Sequence, residues 1–110
     1  MKRDSRQFRR NPDRKQRQLC SQVEQAIDLA LGASSDPLLQ GCWVVDVRPA
    51  PSQAHLRIRI RSADEVDEVE IRDCLQRATA WLRSEVSVFI SRRKTPNLTL
   101  VWAPPGSEEP

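Results

Sequence analysis

Glycine, tyrosine and histidine are nearly missing from this chain of 110 residues, which has three glycines, no tyrosine and the single His55. Each shortage argues against a chemistry. With only Gly32, Gly41 and Gly106, no Gly-x-x-Gly loop can form anywhere in the sequence. Without tyrosine and with two phenylalanines, a base-stacking sheet of the RNA-recognition-motif type is not supported. His55 has no nucleophile or carboxylate at a telling spacing, and the cluster Asp64, Glu65, Asp67, Glu68 and Glu70 reads as helix capping and solubility, so no catalytic centre is expected. Cys20, Cys42 and Cys74 are odd in number, far apart and free of any C-x-x-C, which fits reduced core thiols rather than a disulfide frame or a metal site. No apolar run approaches the ~20 residues of a membrane span, and Met1-Lys2-Arg3-Asp4-Ser5-Arg6 lacks the apolar stretch of a signal peptide. The expectation is a cytoplasmic protein without cofactor or metal.

What is present is charge, unevenly placed. The chain carries +3 overall, yet residues 1–19 hold eight Lys/Arg against two Asp, and the remaining residues ten against thirteen acids. A positive end on a mildly acidic body points to a polyanionic partner. Nucleic acid is preferred to membrane, because apart from Phe8 the basic end has no large apolar residue before Leu19. The length suits one domain, read as a flexible basic arm over 1–10, a folded unit over 11–103 and a loose tail over 104–110.

Asn11-Pro12 is a helix-start signal, and Leu19, Val23, Ala26, Ile27 and Ala30 recur at helical spacing, so a helix is expected over 12–31 with Gly32 as a left-handed stop. Ala33 to Pro37 is turn chemistry. Cys42 to Arg48 reads as a strand with Trp43, Val45 and Val47 inward and Asp46 and Arg48 on the other side; His55 to Arg61 as a second, with Leu56, Ile58 and Ile60 inward and Arg57, Arg59 and Arg61 outward. The two should pair antiparallel. Ser62-Ala63-Asp64-Glu65 has the form of a capping box, opening a helical stretch over 64–91 with a bend or break. Its apolar stripe is Ile71, Cys74, Leu75, Ala78, Leu82, Val86, Phe89 and Ile90. Asn97 to Trp102 is a third strand, with Leu98, Leu100 and Trp102 inward. The predicted order α-β-β-α-(α)-β gives an α+β domain with helices on one face of a three-stranded sheet.

Four stretches in this order resemble the ribosome-binding factor A family: basic Arg9, Arg10, Arg14 and Lys15 around the start of the first helix; Asp36-Pro37 before the first strand; Ala54-His55-Leu56-Arg57-Ile58; and Ala78 to Val86 followed by Thr95 to Leu100. The resemblance spans residues 9–102. It implies a KH-like fold of the type II arrangement and a non-catalytic factor that binds the small ribosomal subunit and its rRNA during maturation, aiding rRNA processing. In that family an Ala-x-Gly kink replaces the Gly-x-x-Gly loop and lies by the RNA-binding surface; here the places hold Ala78, Thr79 and Ala80. The chain also has Leu38 where the family often has Arg, and Ala103 where it often has an acid.

Three groups of cations stand out. Arg9, Arg10, Arg14, Lys15 and Arg17 put positive charge beside a helix N-terminus, either as an anion site or as a solubilising tail. Arg57, Arg59 and Arg61 project from one strand face about 6.6 Å apart, able to follow phosphates or simply to keep that face wet, with Asp46 placed to neutralise part of the row. Arg92, Arg93 and Lys94 suit a helix C-terminus with or without RNA, and Arg83 falls within the family match. The alternative function is a protein–protein interaction module on the same scaffold, without direct RNA binding. A monomer with no small-molecule substrate is expected.

Overall fold

The computed structural model describes residues 2–50, 55–63, 65–90 and 94–104, with side chains from residue 14 onward. The chain opens with α1, Lys2–Gly32, whose buried stripe is Leu19, Val23, Ala26, Ile27, Ala30 and Leu31. The helix does not start at Asn11. Lys, Arg and Gln are good helix formers, and the helical backbone continues upstream through Pro12 to Lys2, so residues 2–10, expected as a flexible arm, are helical. Proline at 12 lacks the N–H that would bond back one turn, a cost the helix bears.

The Asx-Pro signal operates at Asp36-Pro37 instead. Asp36 caps α2, Pro37–Gln40, its Oδ1 accepting the Leu38 N–H at 3.0 Å, with Pro37 in the first turn. Residues 33–36 stay irregular, as their turn chemistry leads one to expect, and the four residues after them close into one helical turn. Gly41 follows at φ −86°, and Gly32 likewise lies outside the left-handed region, so the expected left-handed stop is not used.

The sheet comprises β1 (Cys42–Pro49), β2 (His55–Ser62) and β3 (Asn97–Trp102) in the order β1-β2-β3. β1 and β2 are antiparallel, as expected, and β3 runs parallel to β2. In β2 the alternation holds: Leu56, Ile58 and Ile60 are wholly buried, each contributing about 1.5–3 kcal/mol by leaving water. In β1 it does not. Val44 pairs with Ile60 and Asp46 with Arg59, leaving Val45 as the extra residue of a β-bulge. Before the bulge the phase is reversed: Cys42 and Val44 are buried and Trp43, expected inward, is 41% exposed. After it, Val47 returns to the core.

Asp67, rather than Ser62, caps α3, Glu68–Ile90. Its Oδ1 accepts the Val69 and Glu70 N–H groups at 2.9 and 3.2 Å, whereas Ser62 is buried as the last residue of β2. No break divides the helix, which runs unbroken through Ala78, Thr79 and Ala80, because alanine is the strongest helix former. The expected stripe is buried apart from Phe89, which is exposed. Both α1 and α3 pack on the Leu56-Ile58-Ile60 side of the sheet, α1 against β1, α3 against β3, and each against the other. The element order is thus α1-α2-β1-β2-α3-β3, an α+β domain with one covered and one open sheet face.

Candidate nucleic-acid interface

The open sheet face is built by the two-residue period of β2, which sends Arg57, Arg59 and Arg61 away from the helices. Register then sets their neighbours: Arg48 opposite Arg57, Asp46 opposite Arg59, Trp43 opposite Arg61. The row is not three equivalent cations. Arg59 donates from Nη2 to Asp46 Oδ2 at 2.6 Å and from Nε to Oδ1 at 3.1 Å. Arg61 Nε donates to the Ala103 carbonyl at 3.3 Å. Arg57 is exposed and has no ion pair among the described residues, while Arg48 reaches Asp46 only at 3.4 Å with 69% of its side chain exposed. Sequence reasoning missed Trp43 as a member of this face, because the Val45 bulge hid it, whereas Asp46 and Arg48 lie on the outward side of β1 as expected.

On α1, Arg14, Lys15 and Arg17 are exposed, with Arg14 and Arg17 three residues apart on one helix face. They do not sit at a helix N-terminus. Because the helix extends upstream, their N–H groups lie within helical backbone, and what remains of the expected anion site is side-chain charge. Arg9 and Arg10 belong to the same helix, and their side chains lie outside the described residues. Since α1 packs on the covered sheet face, its cations and the β2 arginines belong to opposite sides of the sheet.

The α3 segment separates further. Ala78 is buried, Ala80 is exposed, and Thr79 donates its hydroxyl to the Leu75 carbonyl at 2.9 Å. Thr79 also lines a groove of about 470 Å³ between α3 and the open edge of β3, with Arg72, Gln76 and Thr99. Arg83, a candidate RNA contact, is engaged in the fold: its Nη2 donates to the Thr95 carbonyl at 2.7 Å and its Nε to the Pro96 carbonyl at 3.1 Å. Lys94 is exposed; Arg92 and Arg93 lie outside the described residues.

Reactive chemistry is sparse. His55 Nε2 shares a hydrogen bond with Thr99 Oγ1 across β2 and β3, at an exposed position. Burial holds the Cys20 thiol above its usual range, and burial followed by the hydrogen bond to Asp36 does the same for Cys74, so both stay protonated and poorly nucleophilic. Among the described residues no three His, Cys, Asp or Glu side chains gather as metal ligands, and no helix is long and apolar enough to cross a membrane.

No family model and no curated protein matches the sequence. Solved structures do. The chain is similar to the crystal structure of ribosome-binding factor A from Thermus thermophilus, with a TM-score of 0.68 and 23% identity over 79% of this chain and 93% of that one. It is also similar to a homology model of the Thermus thermophilus ribosome-binding factor A fitted into a cryo-EM map of a 30S complex, with a TM-score of 0.61 and 23% identity over 74% of this chain and 89% of that one. The α-α-β-β-α-β chain described here has the fold of ribosome-binding factor A.

Proposed function

We propose that this protein is a non-catalytic assembly factor that binds the small ribosomal subunit and its rRNA during maturation and aids rRNA processing. The observation that supports it most is the shared fold over 79% of the chain, which carries its densest positive charge on the first helix, as the family resemblance leads one to expect. Affinity would come from phosphate contacts of Arg14, Lys15 and Arg17, extended by Arg9 and Arg10, and would fall steeply with salt as counterions are released. The groove beside Thr79 would add shape recognition. The protein would act by favouring one rRNA arrangement over its competitors, an effect bounded by its differential affinity for the two. It would work in the cytoplasm, as a monomer, with a basic segment over 1–10 ahead of the RNA-binding unit over 11–103 and a tail over 104–110.

Binding to isolated small subunits and to protein-free rRNA, followed across a salt series, tests this reading. A steep negative log–log slope, made shallower by deleting residues 1–10, supports it. Binding only to protein, with a shallow slope, overturns it in favour of an interaction module. Depletion in the native cells should accumulate small-subunit rRNA precursors.

A further inference from the structure

We propose that the open face of the sheet is a platform for single-stranded RNA, on which Trp43 stacks an unpaired base while Arg48 and Arg57 hold the phosphates beside it. This rests on the RNA reading above and adds a surface, and a strandedness, that α1 does not specify.

Three observations meet here. The first is Trp43 itself. The bulge at Val45 turns a tryptophan that simple alternation would bury onto the solvent side, 41% exposed, in register with Arg61. Tryptophan has the largest aromatic face among side chains, and stacking on it is available only to a base that is not already stacked in a duplex.

The second is charge. The strand positions of this face carry Arg48, Arg57, Arg59 and Arg61 against the carboxylate of Asp46, with Glu24 of α1 near enough to feel that charge. Residues 20–110 hold ten basic and thirteen acidic side chains, so six basic and twelve acidic remain once the face is set aside. The strand positions of the open face are therefore net positive, while the rest of the body is net negative. Asp46 binds Arg59 with both oxygens and meets Arg48 only at 3.4 Å, and Arg57 stands directly across from Arg48. Like charges facing each other across a strand pair repel, and an anion placed between them removes the repulsion.

The third is spacing. Arg61, the partner of Trp43, lies four residues from Arg57 on β2, so the aromatic ring and the paired guanidinium groups are separated by about 13 Å along the strand. The positions paired with Arg57 and Arg59 on β3 are the modest side chains Thr99 and Val101, which leave the face unobstructed. An acidic protein surface would engage the arginines but has no use for the tryptophan. Duplex RNA offers phosphates but no free base.

The test uses the full chain and two labelled probes in anisotropy titrations: a single-stranded oligoadenylate and an RNA hairpin with the same number of phosphates, its loop replaced by a linker without bases. Trp43→Ala should weaken the single strand about tenfold, Trp43→Phe should recover most of that loss, and hairpin affinity should stay within about twofold. Arg48→Gln with Arg57→Gln should reduce the single-strand salt slope by about 1.4. All three positions are exposed, and thermal unfolding of each variant checks that the fold is kept. Unchanged single-strand affinity of Trp43→Ala overturns the inference, while retained binding to small subunits would leave the assembly reading standing. Equal losses for both probes overturn the single-strand preference. Competition by polyglutamate that is indifferent to Trp43 assigns the face to a protein partner instead. Failure of the parent chain to bind any RNA overturns both readings together.

Discussion

Arg59 grips Asp46 with two donors across the first strand pair, at 2.6 and 3.1 Å. The hydrogen bonds from Arg59 hold the Asp46 carboxyl below its usual range; burial works against this, and the charges of Arg59, Arg48 and Arg57 add to it. With its folded pKa below the unfolded one, the unfolded chain takes up the proton first as pH falls. The contribution to stability is therefore full above the usual carboxylate range and lost as pH drops through the lowered folded value. Asp46→Asn should melt lower than the parent at pH 7 and converge with it in strong acid, as followed by circular dichroism. At neutral pH the same variant should bind RNA more tightly, because it adds one positive charge to the open face.

Glu24 on α1 titrates in the opposite sense. Partial burial raises its carboxyl most, and the charges of Asp28 and Asp46 raise it further. An acid with a raised folded pKa destabilises the fold above that pKa, and the penalty fades as pH falls through it. Glu24→Gln should therefore raise the melting temperature at pH 7, with an advantage that shrinks to nothing below the ordinary glutamate range.

Arg83 ties α3 to the segment that leads into β3 through the carbonyls of Thr95 and Pro96. Removing it strands two acceptors at a partly solvated position, so Arg83→Ala should cost about 1 kcal/mol in urea unfolding. Arg83→Lys, which cannot span both carbonyls in one plane, should restore only part of this. Because the guanidinium is already occupied, RNA affinity should fall no further than the loss of one general charge explains.

Ala80 is exposed in the middle of a continuous helix. Ala80→Gly, which recreates the Ala-x-Gly form of the family resemblance, should destabilise the protein by about 1 kcal/mol and lower its helical signal. A gain in affinity for small subunits despite that loss would show that bending at this point is useful for binding.

Most of the fold was legible where burial and periodicity agree. The Leu56-Ile58-Ile60 alternation, the Ile71 to Ile90 stripe and the bounds of β3 all follow from side chains that must leave water. What escaped depends on backbone detail. One extra residue at Val45 reverses Trp43 without changing the composition of β1, and no alternation rule locates such a bulge. The Asx-Pro rule held at Asp36 and not at Asn11, because upstream of Asn11 a run of good helix formers continues the helix, whereas upstream of Asp36 the helix has already ended at Gly32. Ser62-x-x-Glu65 had the letters of a capping box, but pairing with Cys42 kept Ser62 in the sheet. The site was legible as charge but not as partnership. That Arg57, Arg59 and Arg61 share a face follows from spacing; that Arg59 is committed to Asp46 and Arg83 to two carbonyls requires the register and the loop path.

The central position of β2 has a kinetic consequence. Its antiparallel neighbour β1 precedes it by a short connection, whereas its parallel neighbour β3 arrives only after the whole of α3. Local closure is fast and distant closure slow, so the β1–β2 hairpin should assemble early and the docking of β3 should limit the folding rate. Until that step is complete, Leu56, Ile58 and Ile60 present an unfinished edge to other chains, and the freshly synthesised protein passes through its most aggregation-prone moment before its last strand is in place.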